Sequence, residues 1–306
     1  MNAVIRKTAI VTILFFSIFF TAGAFAADFD EIVVFGDSLS DDGNLLFFED
    51  QSRPEPELYY QGRLSNGPVW AEYLVDQEHL DVSKTDIALG GAQTDGLTPP
   101  GLLEQVSTYI ASETGSLSGD SLFILWAGSN DFLNGDGDYE EAVDNINTAM
   151  DRLVEYDAEH ILVFNLPDLG TIPETMGTSE AAAATEFTLN FNAELANMLD
   201  EFSVDNPDVG LYTFDTYSFF MEIQNNPAEF GFTNVTEPSP NFDIENNFEG
   251  AGHLFWDEKH PTTAAHALLA DRVFAELNAQ VPESTNADDD DDDDDSSNCF
   301  INTSGW

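Results

Sequence analysis

Basic residues are scarce in this chain. Eight Lys and Arg face 58 Asp and Glu across 306 residues, for a formal net charge of −50. A surface of that sign repels nucleic-acid phosphates and anionic membranes, so neither is expected as a partner. It also points to a salty medium, in which the self-repulsion is screened. Cysteine is nearly absent as well: the one thiol, Cys299, lies in the C-terminal tail. An internal disulfide and a cysteine-ligated metal site are thereby excluded. Beyond residue 26 no apolar run reaches the ~20 residues of a membrane-spanning helix.

What is present begins with a leader. Arg6 and Lys7 precede the apolar run Ala9–Phe20, and small residues follow, ending in Ala24-Phe25-Ala26. This is the layout of a secretory signal over residues 1–26, with cleavage expected before Ala27 and no membrane segment left afterwards. The chain is then expected to be exported, to the periplasm or the medium of a bacterium. Residues 27–281 have an even texture with no linker and are expected to form one domain. Residues 282–306 contain eight consecutive aspartates, Asp288–Asp295. Such a block repels itself and reads as a disordered, solvated tail. Oligomeric state is not encoded in any pattern.

Within the domain, short β-like runs cover Glu31–Gly36, Thr85–Gly90, Ser121–Ala127 and His160–Asn165, with a weaker fifth at Val209–Phe214. They are apolar throughout rather than alternating, as parallel strands buried on both faces are. Helical spacing appears between them over Pro68–Gln77, Tyr139–Tyr156, Ser179–Phe202 and Thr262–Asn278. Alternating strands and helices predict a doubly wound α/β sheet, whose ligands bind at the carboxyl ends of the strands.

Ser38, in "VVFGDSLSDDGN", sits at one such strand end. By itself a serine there is more often a helix cap than a nucleophile, and the G-x-S-x-G of a nucleophile elbow is missing around it. A nucleophilic role needs a base, an orienting group and oxyanion donors. Of five histidines, His79, His160 and His253 have no patterned acidic partner, and His266 falls inside the last helix. His260 follows Asp257 by three residues in "WDEKHPT" and precedes Pro261, which restrains it to an extended or turn conformation. Asp257 is placed to accept the Nδ1 proton and leave Nε2 facing a serine. Gly90 and Gly91 in "ALGGAQTDG" allow a close backbone approach, and Asn130 in "GSND" offers an amide donor. In "NGDGDYEEA" a tyrosine stands where a calcium loop needs glycine, so that stretch reads as solvated and no metal is expected.

These blocks, "FGDSLSDDGN", "ALGGAQTDG", "GSND" and "FWDEKHPT", resemble in order and spacing those of the GDSL lipase/esterases (SGNH hydrolases). The likeness is to the branch of secreted bacterial phospholipases, lecithinases and haemolysins, and it extends over about Asp28–Leu277. It implies a flavodoxin-like three-layer α/β/α sandwich with a mostly parallel five-stranded sheet. It further implies Ser38 as nucleophile, His260 as base, Asp257 as its orienter, and an oxyanion hole of the Ser38 N–H, Gly91 and Asn130, with no cofactor. Gly91 is chosen over Gly90 by motif alignment alone. Ser38 is expected to start the following helix as well. One departure is Asp86, where the second block often opens with asparagine; altered packing or solvation near the site is expected there.

The implied activity is hydrolysis of carboxylic esters, of lipids or phospholipids in this branch. Alternatives are acetyl or short-chain carbohydrate esters, acyl transfer to an alcohol, or a non-catalytic surface binding protein. Phe219, Phe220, Phe230, Phe232, Phe242 and Phe248 are open to two readings, as an acyl pocket or as core.

Overall fold

The computed structural model describes residues 29–49, 52–135 and 137–280. The expected leader, the acidic tail and Cys299 lie outside the described residues. In chain order the elements are β1 (Glu31–Gly36), α1 (Asn44–Phe48), α2 (Trp70–Leu74), β2 (Ser83–Asp86), α3 (Leu102–Ser112), β3 (Ser121–Trp126), α4 (Ser129–Leu133) and α5 (Tyr139–Glu155). There follow β4 (His160–Phe164), α6 (Ala181–Asp205), β5 (Gly210–Phe214), α7 (Thr216–Asn225), β6 (Asn234–Pro238), β7 (His253–Phe255) and α8 (Thr263–Gln280).

Five strands form one parallel sheet in the order β2-β1-β3-β4-β5. This is the flavodoxin-like order, whose direction reverses between β1 and β3. Because side chains alternate across a strand, the central strands feed two cores. Ile32, Val34, Ile124, Trp126 and Phe164 face α2, α7 and α8, through Trp70, Ile223 and Leu269 among others. Val33, Phe35, Phe123, Leu125 and Val163 face α3, α5 and α6, through Val106, Ile146 and Phe191. The result is the three-layer α/β/α arrangement. At the end of β1 the strands pack tightly: a Cβ on Gly36 would lie 2.3 Å from the Trp126 carbonyl oxygen, so only glycine fits there.

The strand expected over Thr85–Gly90 needs correction, because β2 covers Ser83–Asp86 instead. It is a polar edge strand, Ser-Lys-Thr-Asp, which an apolar-run criterion passes over. The apolar residues after it are already leaving the sheet, although Ile87 and Leu89 still donate N–H bonds to Val34 and Gly36. The helices α3, α4 and α7, and the small parallel sheet of β6 and β7, have no counterpart in the sequence reading. The last of these matters functionally. Its strand β7 ends just before Asp257 and His260, and His260 meets Ser38 at the end of β1.

Candidate active site

Ser38 lies in the turn that ends β1. Ser40 and Asp41 donate their N–H groups to the Asp37 carbonyl at 3.1 Å, closing a single turn around it. Helix α1 begins only at Asn44, and its start is organised by Asp41, correcting the expectation that Ser38 initiates it. Asp41 accepts the N–H groups of Gly43 (2.8 Å), Asn44 (2.5 Å) and Leu45 (3.1 Å). It also accepts that of Gly90 at 2.7 Å, which ties the first block to the second. Released from capping, the Ser38 hydroxyl points to His260, with Oγ 2.9 Å from Nε2.

The candidate base, His260, comes from the loop between β7 and α8. Trp256 donates its N–H to the His260 carbonyl at 2.7 Å, and Ser65 Oγ bonds the Pro261 carbonyl at 2.8 Å, so both sides of the loop are held. Asp257 Oδ2 receives the His260 Nδ1–H at 2.6 Å. Its Oδ1 accepts the N–H groups of Lys259 and His260, both at 2.7 Å. A fourth donor is Tyr59, whose hydroxyl reaches Asp257 Oδ2 at 2.6 Å. No motif spacing marks Tyr59, 198 positions away in the chain. Burial pushes the Asp257 pKa up, but the His260 charge and these hydrogen bonds outweigh it and hold it at about 2. Asp257 is thus a carboxylate whenever the protein is folded near neutrality, and it fixes the His260 tautomer that leaves Nε2 free to accept from Ser38.

The structure distinguishes the two glycines. The Gly90 N–H is engaged by Asp41, whereas the Gly91 N–H makes no hydrogen bond among the described residues. Gly91 has a φ of +81°, a left-handed conformation that favours glycine, and it lines the same cavity as Ser38 and His260. The Ser38 N–H is likewise without a protein acceptor among the described residues. Asn130 stands in the first turn of α4, at the end of β3, and borders that cavity too. Its Nδ2 donates to the Ala92 carbonyl at 2.9 Å and leans toward Asp37 Oδ2 at 3.4 Å. One amide hydrogen is therefore committed, and the second is held only by a long contact.

Two buried carboxylates brace these donors. Asp131 accepts the Thr94 N–H at 3.0 Å and the Thr94 hydroxyl at 2.6 Å, joining the third block to the second. Its pKa is pushed up to about 6, by burial against the opposing Thr94 bonds. Asp37, 2% exposed, accepts the Leu39 N–H at 3.0 Å and is raised to about 7, by burial against that bond and the His260 charge. The asparagine-to-aspartate departure at Asp86 is accommodated by Lys84, whose Nζ lies 3.1 Å from its carboxylate, and by the Ala88 N–H at 3.0 Å.

The other histidines stand apart from this chemistry. The expectation that His79 lacks a patterned acidic partner needs correction: Asp76, three residues before it, bonds Nδ1 at 2.8 Å, but Asp271 takes Nε2 at 2.9 Å, so no ring nitrogen is left for a serine. His160 contacts Tyr212, and His253 faces the Ala251 carbonyl. His266 is buried in α8, accepts the Trp70 N–H at 3.3 Å, and is held neutral by burial and the nearby His260 charge, at about 3. In the acidic stretch before α5, Asp138 accepts the Glu141 N–H as a helix cap.

Two cavities meet at Ser38, Asn130, Lys259 and His260. The smaller, about 610 Å³ counted to its open mouth, is walled by Leu39, Leu133, Leu169, Ile172, Phe220 and Phe255. The larger, about 1690 Å³ on the same measure, is bordered by Leu45, Glu49, Arg53, Tyr59, Pro99 and Phe242. The six phenylalanines therefore divide: Phe220 and Phe242 each line a cavity, while Phe219 and Phe232 are core. Phe230 packs at the edge of that core, and Phe248 meets the Tyr60 ring.

The sequence pattern of the GDSL-like Lipase/Acylhydrolase family matches residues 32–273, a span that includes every residue of this site. The chain belongs to that family. Among its relatives is the thermolabile hemolysin of Vibrio parahaemolyticus, 26% identical over 269 residues. That match covers 81% of this chain and 64% of the hemolysin, so the chain spans less than two thirds of that relative. Another is the phosphatidylcholine-sterol acyltransferase of Aeromonas hydrophila, 27% identical over 311 residues, covering 82% of this chain and 91% of the relative. Among solved structures, the native aryl esterase of M. smegmatis aligns at 16% identity and a TM-score of 0.45, over 82% of this chain and 100% of that one. The GDSL assignment rests on the family match and not on that last likeness.

Proposed function

We propose that this chain is an exported serine hydrolase that cleaves carboxylic esters, those of lipid acyl chains by preference, through an acyl-enzyme on Ser38. The observation that carries the reading is the unbroken hydrogen-bond chain from Ser38 Oγ through the His260 ring to Asp257, at 2.9 and 2.6 Å. In the first half-reaction Ser38 Oγ attacks the ester carbonyl while Nε2 takes its proton, and Asp257 stabilises the imidazolium. The carbonyl oxygen, now an oxyanion, is received by the N–H groups of Ser38 and Gly91 and by Asn130 Nδ2. Collapse expels the alcohol, which takes the proton from Nε2 and leaves an acyl-serine. Water, deprotonated by His260, then releases the carboxylic acid and restores the serine.

The preference for lipid acyl esters is supported by the apolar smaller cavity, suited to an acyl chain, with the larger one left for the alcohol side. Relatives named as a hemolysin and as a phosphatidylcholine-sterol acyltransferase support the same substrate class. The acyltransferase relative also supports transfer to an alcohol as a second reading, in which the larger cavity admits an acceptor in place of water. The export part of the reading rests on the N-terminal pattern of residues 1–26.

An ester series of increasing acyl length, ending in a phospholipid, tests the whole. The mature protein is expected to hydrolyse it with a preference for longer chains. Ser38→Ala should abolish turnover while leaving the thermal unfolding curve unchanged. Full activity in Ser38→Ala refutes the nucleophile, and acetyl esters as the best substrates refute the lipid preference.

A further inference from the structure

Helix α1, Asn-Leu-Leu-Phe-Phe, is apolar in four of its five residues and yet has no buried residue. Two of its side chains, Phe47 and Phe48, stand in solvent, at 75% and 48% exposure. Among the described residues seven large hydrophobic side chains are exposed, and Leu97 (75%) and Ile244 are two more of them. These four share a neighbourhood in the chain: each lies within two residues of one that lines the larger cavity. Phe47 and Phe48 are flanked by Leu45 and Glu49, Leu97 lies two residues before Pro99, and Ile244 follows Asp243; all the flanking residues line the larger cavity. Three segments far apart in sequence thus each carry an exposed apolar residue within two positions of the lining of the cavity that holds Ser38 and His260. The other three exposed hydrophobics, Tyr156, Leu189 and Val204, neighbour no residue that lines it. Exposed apolar groups gathered at one functional opening mark a contact surface.

Charge selects what that surface meets. The ionisable residues bordering the cavity include Glu49, Asp243, Asp257 and Glu258 against Arg53 and Lys259. Lys259 is already paired with Glu174 at 3.1 Å. The opening is net negative on a chain of net charge −50, so an anionic surface is repelled and an uncharged or zwitterionic one is not. We propose that Phe47, Phe48, Leu97 and Ile244 form an insertion rim that seats the cavity on a zwitterionic lipid surface. The inference rests on the lipid-ester reading and adds how the site reaches its substrate. Burying the rim in the acyl layer removes apolar area from water and opens the cavity directly onto the ester carbonyls.

The test is co-sedimentation of the full-length mature protein with phosphatidylcholine vesicles at low salt, with hydrolysis of a soluble short-chain ester measured in parallel. Wild type and Ser38→Ala are expected to bind alike. The double variant Phe47→Ser/Leu97→Ser should bind at least about tenfold more weakly, with soluble-ester turnover within about twofold of wild type. Phe48→Ser/Ile244→Ser should repeat the result from different segments, which guards against a local folding defect in either pair. Binding to phosphatidylglycerol vesicles should be weaker than to phosphatidylcholine, and the gap should close as salt is added. Undiminished vesicle binding by both double variants overturns the rim, as does equal low-salt binding to the anionic vesicles. A wild-type dimer that the substitutions disperse, without vesicle binding, assigns the patch to a second copy and also overturns it. A protein that binds vesicles through the rim but cleaves no ester leaves the inference standing and refutes the proposed activity.

Discussion

Replacing Asp37 with asparagine pits stability against catalysis at the residue beside the nucleophile. Asp37 is 2% exposed and its pKa rises from 3.8 to about 7, with burial the leading cause. Raised in the folded state, this pKa makes the folded protein the stronger proton binder. Its contribution to stability is full below about pH 4, the unfolded value, and is lost as the pH climbs through about 7. The asparagine of the variant does not titrate, and all other groups are shared. The stability difference between variant and wild type should therefore grow in the variant's favour by roughly 2–3 kcal/mol from about pH 5 to about pH 8. Catalysis should move the other way. Asp37 Oδ1 accepts the Leu39 N–H, a bond that an asparagine oxygen keeps; Oδ2 faces Asn130 Nδ2 at 3.4 Å. An amide nitrogen in that place sets donor against donor and displaces the side chain proposed for the oxyanion hole. Urea unfolding of both proteins at the two pH values, with kcat on a soluble ester, measures both effects. A stability difference independent of pH would falsify the assignment of a buried, proton-hungry carboxylate at Asp37.

Asn130→Ala should lower kcat by ~10²–10³ with KM little changed, by analogy with the loss of one oxyanion donor in a serine protease; an effect on KM alone removes it from the oxyanion hole. Tyr59→Phe deletes one of four donors to Asp257, a hydrogen bond to a charged acceptor worth about 1.5–3 kcal/mol. Asp257 stabilises the fold above its unfolded pKa and loses that contribution as the pH falls through about 2; the acid-unfolding midpoint of Tyr59→Phe should accordingly move to higher pH, and an unmoved midpoint refutes the Tyr59 contribution. Asp41→Ala leaves four N–H groups without their acceptor and is expected to cost at least about 3 kcal/mol in urea unfolding. A loss below about 1 kcal/mol shows that water replaces Asp41 at those groups.

Much of this protein is legible in one dimension. Apolar runs fixed by burial on both sheet faces reveal β1, β3 and β4 to within a residue or two, because a strand with no solvent face tolerates no polar interruption. Amphipathic spacing does the same for α5, which begins at Tyr139 as expected. The polar edge strand β2 escapes, since one side of it has no neighbour to impose a pattern. In the site, the Asp257–His260 pair is legible as a carboxylate three residues before a histidine held by proline, whereas the strand-end turn alone marks Ser38 as a cap and only the family resemblance singles it out as a candidate nucleophile. Spacing along the chain can express only such short-range constraints. The choice between Gly90 and Gly91 depends on which N–H Asp41 occupies, and that is decided by how two strand ends lie side by side. Tyr59 on Asp257, Thr94 on Asp131, and the raised pKa of the buried Asp37 are likewise products of packing, where segments distant in sequence meet out of water. A hydrogen bond or a desolvation penalty between such segments leaves no periodic trace, so the tertiary structure alone assigned them.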